Sequence, residues 1–346
     1  MKRGPNEVGS RAIALPDGRR SVIWYPADDS AADQPKESFD IASLLTPELQ
    51  AKLTPEQRPL LEIDAHPGAK PSPNGPFPVV LYSHGFSGYP ELSSMIMTHL
   101  ASWGFVVISP NHVERSADGL LGTAAKGVTP MEGPAVLSAA LDAAIADAKA
   151  ASSPLHGLLD TDHIGVTGES AGASDAYVMA STDDRIDAFI SYSLGGGRPD
   201  ASGKTVERPV PKVPGMVMAG GADGIIPAAD SKAIFEKMNT PKYFVETADM
   251  GHVGFTDVCL IGADQGGIVG IVKAAGIDLP ATTIRLAGDG CGKKYLPPKE
   301  GFKAVQNFTV AFLRGYLGVD PEPIGLDQAT ADQFAPAKVT ITAVPG

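Results

Sequence analysis

Three residues, met in this order along the chain, carry the side chains needed to open a carbonyl group by nucleophilic attack: Ser170, Asp223 and His252. A serine hydroxyl is a poor nucleophile at neutral pH. It needs a base within hydrogen-bond reach and a third group to orient that base. Ser170 lies in Gly168-Glu169-Ser170-Ala171-Gly172, after the run Ile164-Gly165-Val166-Thr167 and before Ala173-Ser174-Asp175-Ala176-Tyr177-Val178-Met179-Ala180. The first run reads as a strand and the second as a helix. Strand, sharp turn and helix form the setting of a nucleophile elbow, in which two glycines omit the Cβ atoms that would clash. The five-residue motif alone is a weak signal, because a glycine-rich turn with a helix-capping serine looks the same. The partners have to decide.

Asp223 follows Met216-Val217-Met218-Ala219-Gly220-Gly221-Ala222, an apolar strand running into a glycine loop. His252 follows a strand at Tyr243–Glu246 and the loop Thr247-Ala248-Asp249-Met250-Gly251. Acid and base thus stand past strand ends, in the order serine, acid, histidine that a parallel-sheet hydrolase requires. Asp223 could instead cap a helix at Ile225–Lys237, and Asp230 inside that helix is the nearest competitor for its role. Of the other histidines, His84 and His112 sit at strand ends but precede the nucleophile. His66, His99, His156 and His163 fall in an insertion, in helical or turn segments, or at a strand start.

A developing oxyanion needs two fixed N–H donors. The backbone N–H of Ala171 is one. The N–H of Phe86 is the other, in the loop Ser83-His84-Gly85-Phe86-Ser87-Gly88 after an early strand, with His84 bracing that loop. His112 and Val113, at another strand end, and Val253, beside the base, are expected to line the cleft.

The elements that position these residues alternate. Ser10–Leu15 and Arg20–Tyr25 form a hairpin around Pro16-Asp17-Gly18 at a sheet edge. An insertion at about 27–77 carries two short helices, near Pro47–Leu53 and Pro55–Ile63, each opened by a Thr-Pro pair. Strands follow at Phe77–Tyr82, Phe105–Ser109, Ala188–Tyr192 and Gly215–Ala219, with helices at Glu91–Trp103, Pro134–Ala151 and Gly301–Leu317 between and after them. Lys338–Val344 reads as a late edge strand. This is an α/β chain, expected to be one domain over residues 1–346, with a mostly parallel sheet covered by helices on both faces.

The composition fits a globular protein: 346 residues, 43% apolar and 20% charged. A net charge of −12 argues against nucleic acid and anionic membrane surfaces as partners. No apolar run is long enough to span a membrane, and the N-terminus lacks the apolar core of a signal peptide. No H-E-x-x-H spacing suggests zinc, and no early G-x-G-x-x-G suggests a dinucleotide, so neither metal nor cofactor is expected. Oligomeric state is open, with a monomer expected.

Three stretches in order resemble the α/β-hydrolase superfamily: Pro78-Val79-Val80-Leu81-Tyr82-Ser83-His84-Gly85-Phe86-Ser87-Gly88, Thr98-His99-Leu100-Ala101-Ser102-Trp103-Gly104-Phe105-Val106-Val107, and Gly168-Glu169-Ser170-Ala171-Gly172. Trp24-Tyr25-Pro26 and Gly251-His252-Val253-Gly254-Phe255-Thr256-Asp257-Val258-Cys259 are similar to bacterial relatives of platelet-activating factor acetylhydrolase and to polyester hydrolases. The resemblance covers most of Val8 to Leu317. It implies a serine carboxylic-ester hydrolase without a cofactor, with Ser170, Asp223 and His252 as triad and Phe86 and Ala171 as oxyanion donors. The substrate would be a short-chain or polymeric ester, or a phospholipid with a short sn-2 acyl group. The rival of another class is a non-catalytic binding module on the same scaffold.

Two departures stand out. The connection Ser193–Pro214 is too short for a helical cap domain, so an open cleft is expected. The stretch of about 253–300, between the base and the last helix, is long. It holds a helix near Gly267–Ala275 and the only two cysteines, Cys259 and Cys291. Bonded, they would suit a secreted or periplasmic protein whose signal peptide has been removed. As two buried thiols they would suit the cytoplasm.

Overall fold

The computed structural model describes residues 2–197, 207–278 and 280–346. Strands β1 (Glu7–Ala14) and β2 (Arg20–Ala27) make the expected antiparallel hairpin. The insertion follows, with β3 (Glu37–Asp40), α1 (Pro47–Gln50), β4 (Leu60–Ile63) and β5 (His66–Pro67). Thr46 caps α1, its side chain accepting the Leu49 N–H, as the Thr-Pro signal requires. The second expected helix, Pro55–Ile63, is a correction. It ends after one 3₁₀ turn, Pro55–Gln57, and Leu60–Ile63 continues as a strand paired with β3. The reason lies in period two: Leu61 and Ile63 are buried while Leu60 and Glu62 point to solvent.

The alternating core then begins: β6 (Phe77–Ser83), α2 (Ser94–Ser102), β7 (Val106–Pro110), α3 (Ala117–Leu120), α4 (Gly133–Lys149), β8 (Leu159–Glu169), α5 (Ala171–Thr182) and β9 (Ala188–Tyr192). It continues with β10 (Gly215–Gly220), α6 (Ala228–Lys237), β11 (Lys242–Thr247), α7 (Gly267–Ala274), α8 (Ala281–Gly288), α9 (Pro298–Tyr316), α10 (Gln328–Ala331) and β12 (Val339–Val344). The main sheet runs β12-β11-β10-β9-β8-β6-β7-β2-β1-β5. Strands β7, β6, β8, β9, β10 and β11 pair in parallel; the hairpin and β12 join antiparallel on either side.

Side chains that alternate along the buried strands feed two cores. Val80, Tyr82, Met216 and Met218 face α2 and α9, packing with Met97, Leu100, Phe308 and Phe312. Their neighbours Val79, Leu81, Val217 and Ala219 face the other way, against Leu137 and Leu141 of α4, Ala173 and Ala176 of α5 and Phe235 of α6. A sheet covered on both faces explains why these strands read as continuous apolar runs. It also leaves the C-terminal strand ends as the place where loops converge. Residues 198–206 of the expected capless connection lie outside the described residues. Among the described residues, no helix is long and apolar enough to cross a membrane.

Candidate active site

Ser170 stands at the end of β8 with φ +56° and ψ −115°, a backbone conformation that a side chain other than glycine rarely adopts. Both flanking glycines are needed. A Cβ on Gly168 would lie 2.2 Å from the Gly172 carbonyl oxygen, and one on Gly172 would lie 1.9 Å from that of Ser83. The turn therefore brings the start of α5 against the end of β6, and the Ser170 hydroxyl is left facing the loops above the sheet.

The three side chains singled out from the sequence meet there. Ser170 Oγ is 3.0 Å from His252 Nε2, and His252 Nδ1 is 2.8 Å from Asp223 Oδ2. The same Asp223 oxygen accepts the Ser193 hydroxyl at 2.9 Å, and its other oxygen accepts the N–H groups of Ile225 and Ile226 at 2.8 and 2.7 Å. With Asp223 accepting at Nδ1, that nitrogen carries the proton and Nε2 is free to face the serine. Asp223 thus anchors the turn ahead of α6 with one oxygen and orients the histidine with the other, while Asp230 is exposed on that helix. Burial opposes a charge on either group, yet their mutual attraction wins. The His252 imidazole is held above its ordinary range, with Glu169 and Asp289 adding to Asp223, and the Asp223 carboxyl is held below its own.

Two supporting carboxylates escaped the sequence reading. Glu169, the variable position of the elbow motif, is 3% exposed, with Oε1 3.4 Å from His252 Nε2. Burial pushes its carboxyl up to about 7, against the pull of His252 and with the push of Asp223. Asp289 accepts the backbone N–H of His252 at 2.8 Å and that of Gly224 at 3.2 Å, tying the His252 loop to the Asp223 loop. No sequence signal marks either: Glu169 occupies a position open to any residue, and Asp289 is distant in sequence from both loops it joins.

The loop Ser83–Gly88, expected to carry an oxyanion donor, is locked from below. His84 Nε2 accepts the backbone N–H of His112 at 3.0 Å, which leaves Nδ1–H to donate to the Gly85 carbonyl at 2.9 Å. Burial holds His84 down to about 3, so it is neutral. Arg115 bonds the His84 carbonyl, the Ser83 hydroxyl and Asp175 of α5. His112 is a correction: it is buried and bonded through Nε2 to Ser83 Oγ at 2.8 Å, so it supports the loop and is not on the wall of either cavity beside Phe86. Val113 likewise lines neither of these two cavities, whereas Val253 lines one.

Two cavities flank Phe86. One, of about 720 Å³, is mixed in character and is lined by Ala171, Ser174 and Met131 together with the charged Arg115, Glu132 and Arg208. The other, of about 200 Å³, is apolar and reaches Ser170 and His252. Much of its lining comes from two segments outside the central sheet and its covering helices. Ile41, Leu44 and Leu45 come down from the insertion on one side. Ile268 and Val272 of α7, with Leu286 and Ala287 of α8, close the other. The two walls touch, Gln265 Nε2 donating to the Glu56 carbonyl at 3.1 Å. Cys259 and Cys291 are bonded and bracket the second wall.

A model of the dienelactone hydrolase family matches residues 63–252. Ser170, Asp223 and His252 fall within the match, while both cavity walls fall outside it. No curated protein is similar enough to count as a relative. Among solved structures, the ferulic acid esterase from Streptomyces cinnamoneus is 20% identical, with a TM-score of 0.61 over 97% of this chain and 96% of that one. At that identity the likeness is one of fold.

Proposed function

The chain belongs to the dienelactone hydrolase family, within the α/β-hydrolase superfamily, and from that premise we propose that this carboxylic ester hydrolase works through an acyl-enzyme on Ser170. The observation that carries the reading is the hydrogen-bonded line Ser170–His252–Asp223 opening directly onto an apolar cavity. Ser170 Oγ attacks the ester carbonyl while His252 Nε2 takes its proton, and Asp223 holds the imidazolium. The N–H groups of Phe86 and Ala171 receive the oxyanion. His252 then protonates the leaving alcohol, activates a water, and returns the serine.

The apolar cavity suits the acyl group. At about 30 Å³ per water-sized group, its volume takes roughly seven such groups, the size of a short acyl chain or a single aromatic ring. The wider cavity beyond Phe86, with its charged side chains, suits the alcohol. A walled acyl site supports small esters over the polymeric esters that an open cleft would accept. Esters of ferulic acid, named for the structural neighbour, belong in the test panel on size. Hydrolysis of p-nitrophenyl esters from acetate to palmitate, beside a polyester film, tests this. Rates should fall steeply beyond the short chains and the film should release nothing soluble. Equal turnover of palmitate, or erosion of the film, would contradict the walled site.

A further inference from the structure

The nitrogen of His252 that faces Ser170 has two neighbours. Ser170 Oγ lies at 3.0 Å and Glu169 Oε1 at 3.4 Å. His252 therefore stands between carboxylates, Asp223 on Nδ1 and Glu169 on the Nε2 side. Nothing in a serine, histidine and acid mechanism calls for the second one. The chain nevertheless makes room for it: a Cβ on Gly85 would lie 2.3 Å from Glu169 Oε2, so a side chain there would displace the carboxylate. Burying a carboxyl with so little exposure is unfavourable unless it is neutralised or paired. Among the described residues, its one ionic partner within 4 Å is His252.

Building on the acyl-enzyme reading, we propose that Glu169 is a positioning residue of the reaction, a second carboxylate that grips His252 Nε2–H whenever the imidazole is charged. Two consequences follow from one charge. In the resting enzyme, while Glu169 is ionised, a protonated His252 donates to it and cannot accept from Ser170, so a single proton held by the pair keeps the enzyme inactive. During attack, the imidazolium that forms by taking the Ser170 proton is stabilised by the same carboxylate until the proton passes to the leaving alcohol. Glu169 forms no covalent bond and keeps its electrons throughout. The groups that face it are His252 and Asp223 from the base and acid loops, Arg115 and the Gly85 N–H from the oxyanion loop and its brace, and the Tyr82 phenol from β6. Its carboxyl is held up to about 7, so near neutrality Glu169 and His252 compete for a proton.

The test is the pH profile of kcat/KM for Glu169→Gln and Glu169→Asp, with circular dichroism to check the fold and Ser170→Ala as control. Loss of the charge at this distance should move the acid limb about 1 pH unit lower and cut the alkaline plateau about tenfold. Glu169→Gln should thus retain a larger fraction of its own maximum at acid pH than the wild type does. Glu169→Asp, with its charge drawn back, should fall between the two. A folded Glu169→Gln with the wild-type acid limb overturns the proposal. If Glu169→Gln fails to fold, Glu169→Asp decides, and a wild-type profile in it overturns the proposal too. Turnover that survives in Ser170→Ala overturns the acyl-enzyme reading itself, whereas Ser170-dependent turnover with an unmoved limb overturns only the role of Glu169.

Discussion

Asp289 Oδ1 accepts the backbone N–H of His252 at 2.8 Å, so the residue that fixes the base comes from the far end of the long loop that follows it. The Asp289 carbonyl accepts the next N–H, that of Val253, at 2.8 Å, and its carboxylate also holds Gly224 beside the acid. One residue therefore sets the spacing of both loops. Asp289→Ala leaves the buried His252 N–H without its acceptor, a loss of about 1–3 kcal/mol. A urea melt should show a midpoint lowered with an unchanged slope, and kcat should fall more than KM rises. An unchanged midpoint would mean that the loop is held by its other contacts.

The bond between Cys259 and Cys291 spans 32 residues, and α7 and α8, which line one side of the apolar cavity, lie within that span. By the loop-entropy estimate the closure contributes about 3–4 kcal/mol. Replacing both cysteines by serine should lower Tm and flatten the preference for short acyl chains, because Ile268, Val272 and Leu286 would no longer be held over Ser170. Selectivity that survives the replacement would show that packing alone fixes that wall.

Asp257, next to the base loop, is fully buried and accepts the Ser94 hydroxyl at 2.6 Å. Burial pushes its carboxyl up to about 7 from an ordinary 3.8, against those hydrogen bonds. The folded protein thus keeps a proton that the unfolded chain has released. Its contribution is favourable below about pH 4 and is lost as pH rises through about 7, by an amount on the order of 4 kcal/mol. Asp257→Asn cannot ionise. Its Tm relative to the wild type should therefore rise between pH 4 and pH 8, as read by differential scanning calorimetry. A difference that stays constant across that range would contradict the shift.

Much of this was legible in the chain because local rules and global fold agree there. Gly168 and Gly172 announce the elbow since only residues without a Cβ fit 2.2 and 1.9 Å from backbone oxygens. Asp223 and His252 announce themselves by following apolar strands. The failures have equally physical causes. At Pro55 the helix-start signal outweighed the alternation of Leu60–Ile63, although that alternation decides the structure. His112 stands at a strand end, as a cleft residue would, but turns inward to Ser83. The cavity walls come from segments far apart in sequence that meet only through contacts such as Gln265 with Glu56. Glu169 and Asp289 act through proximity to His252, which no spacing rule encodes.

The central claim is that Ser170 becomes covalently acylated, and the most direct measurement is intact-protein mass spectrometry after a fluorophosphonate probe, with peptide mapping of the label. A single adduct on Ser170, absent in Ser170→Ala and slowed in His252→Ala, is the predicted result. An unlabelled Ser170 in a folded protein that still hydrolyses esters would contradict it.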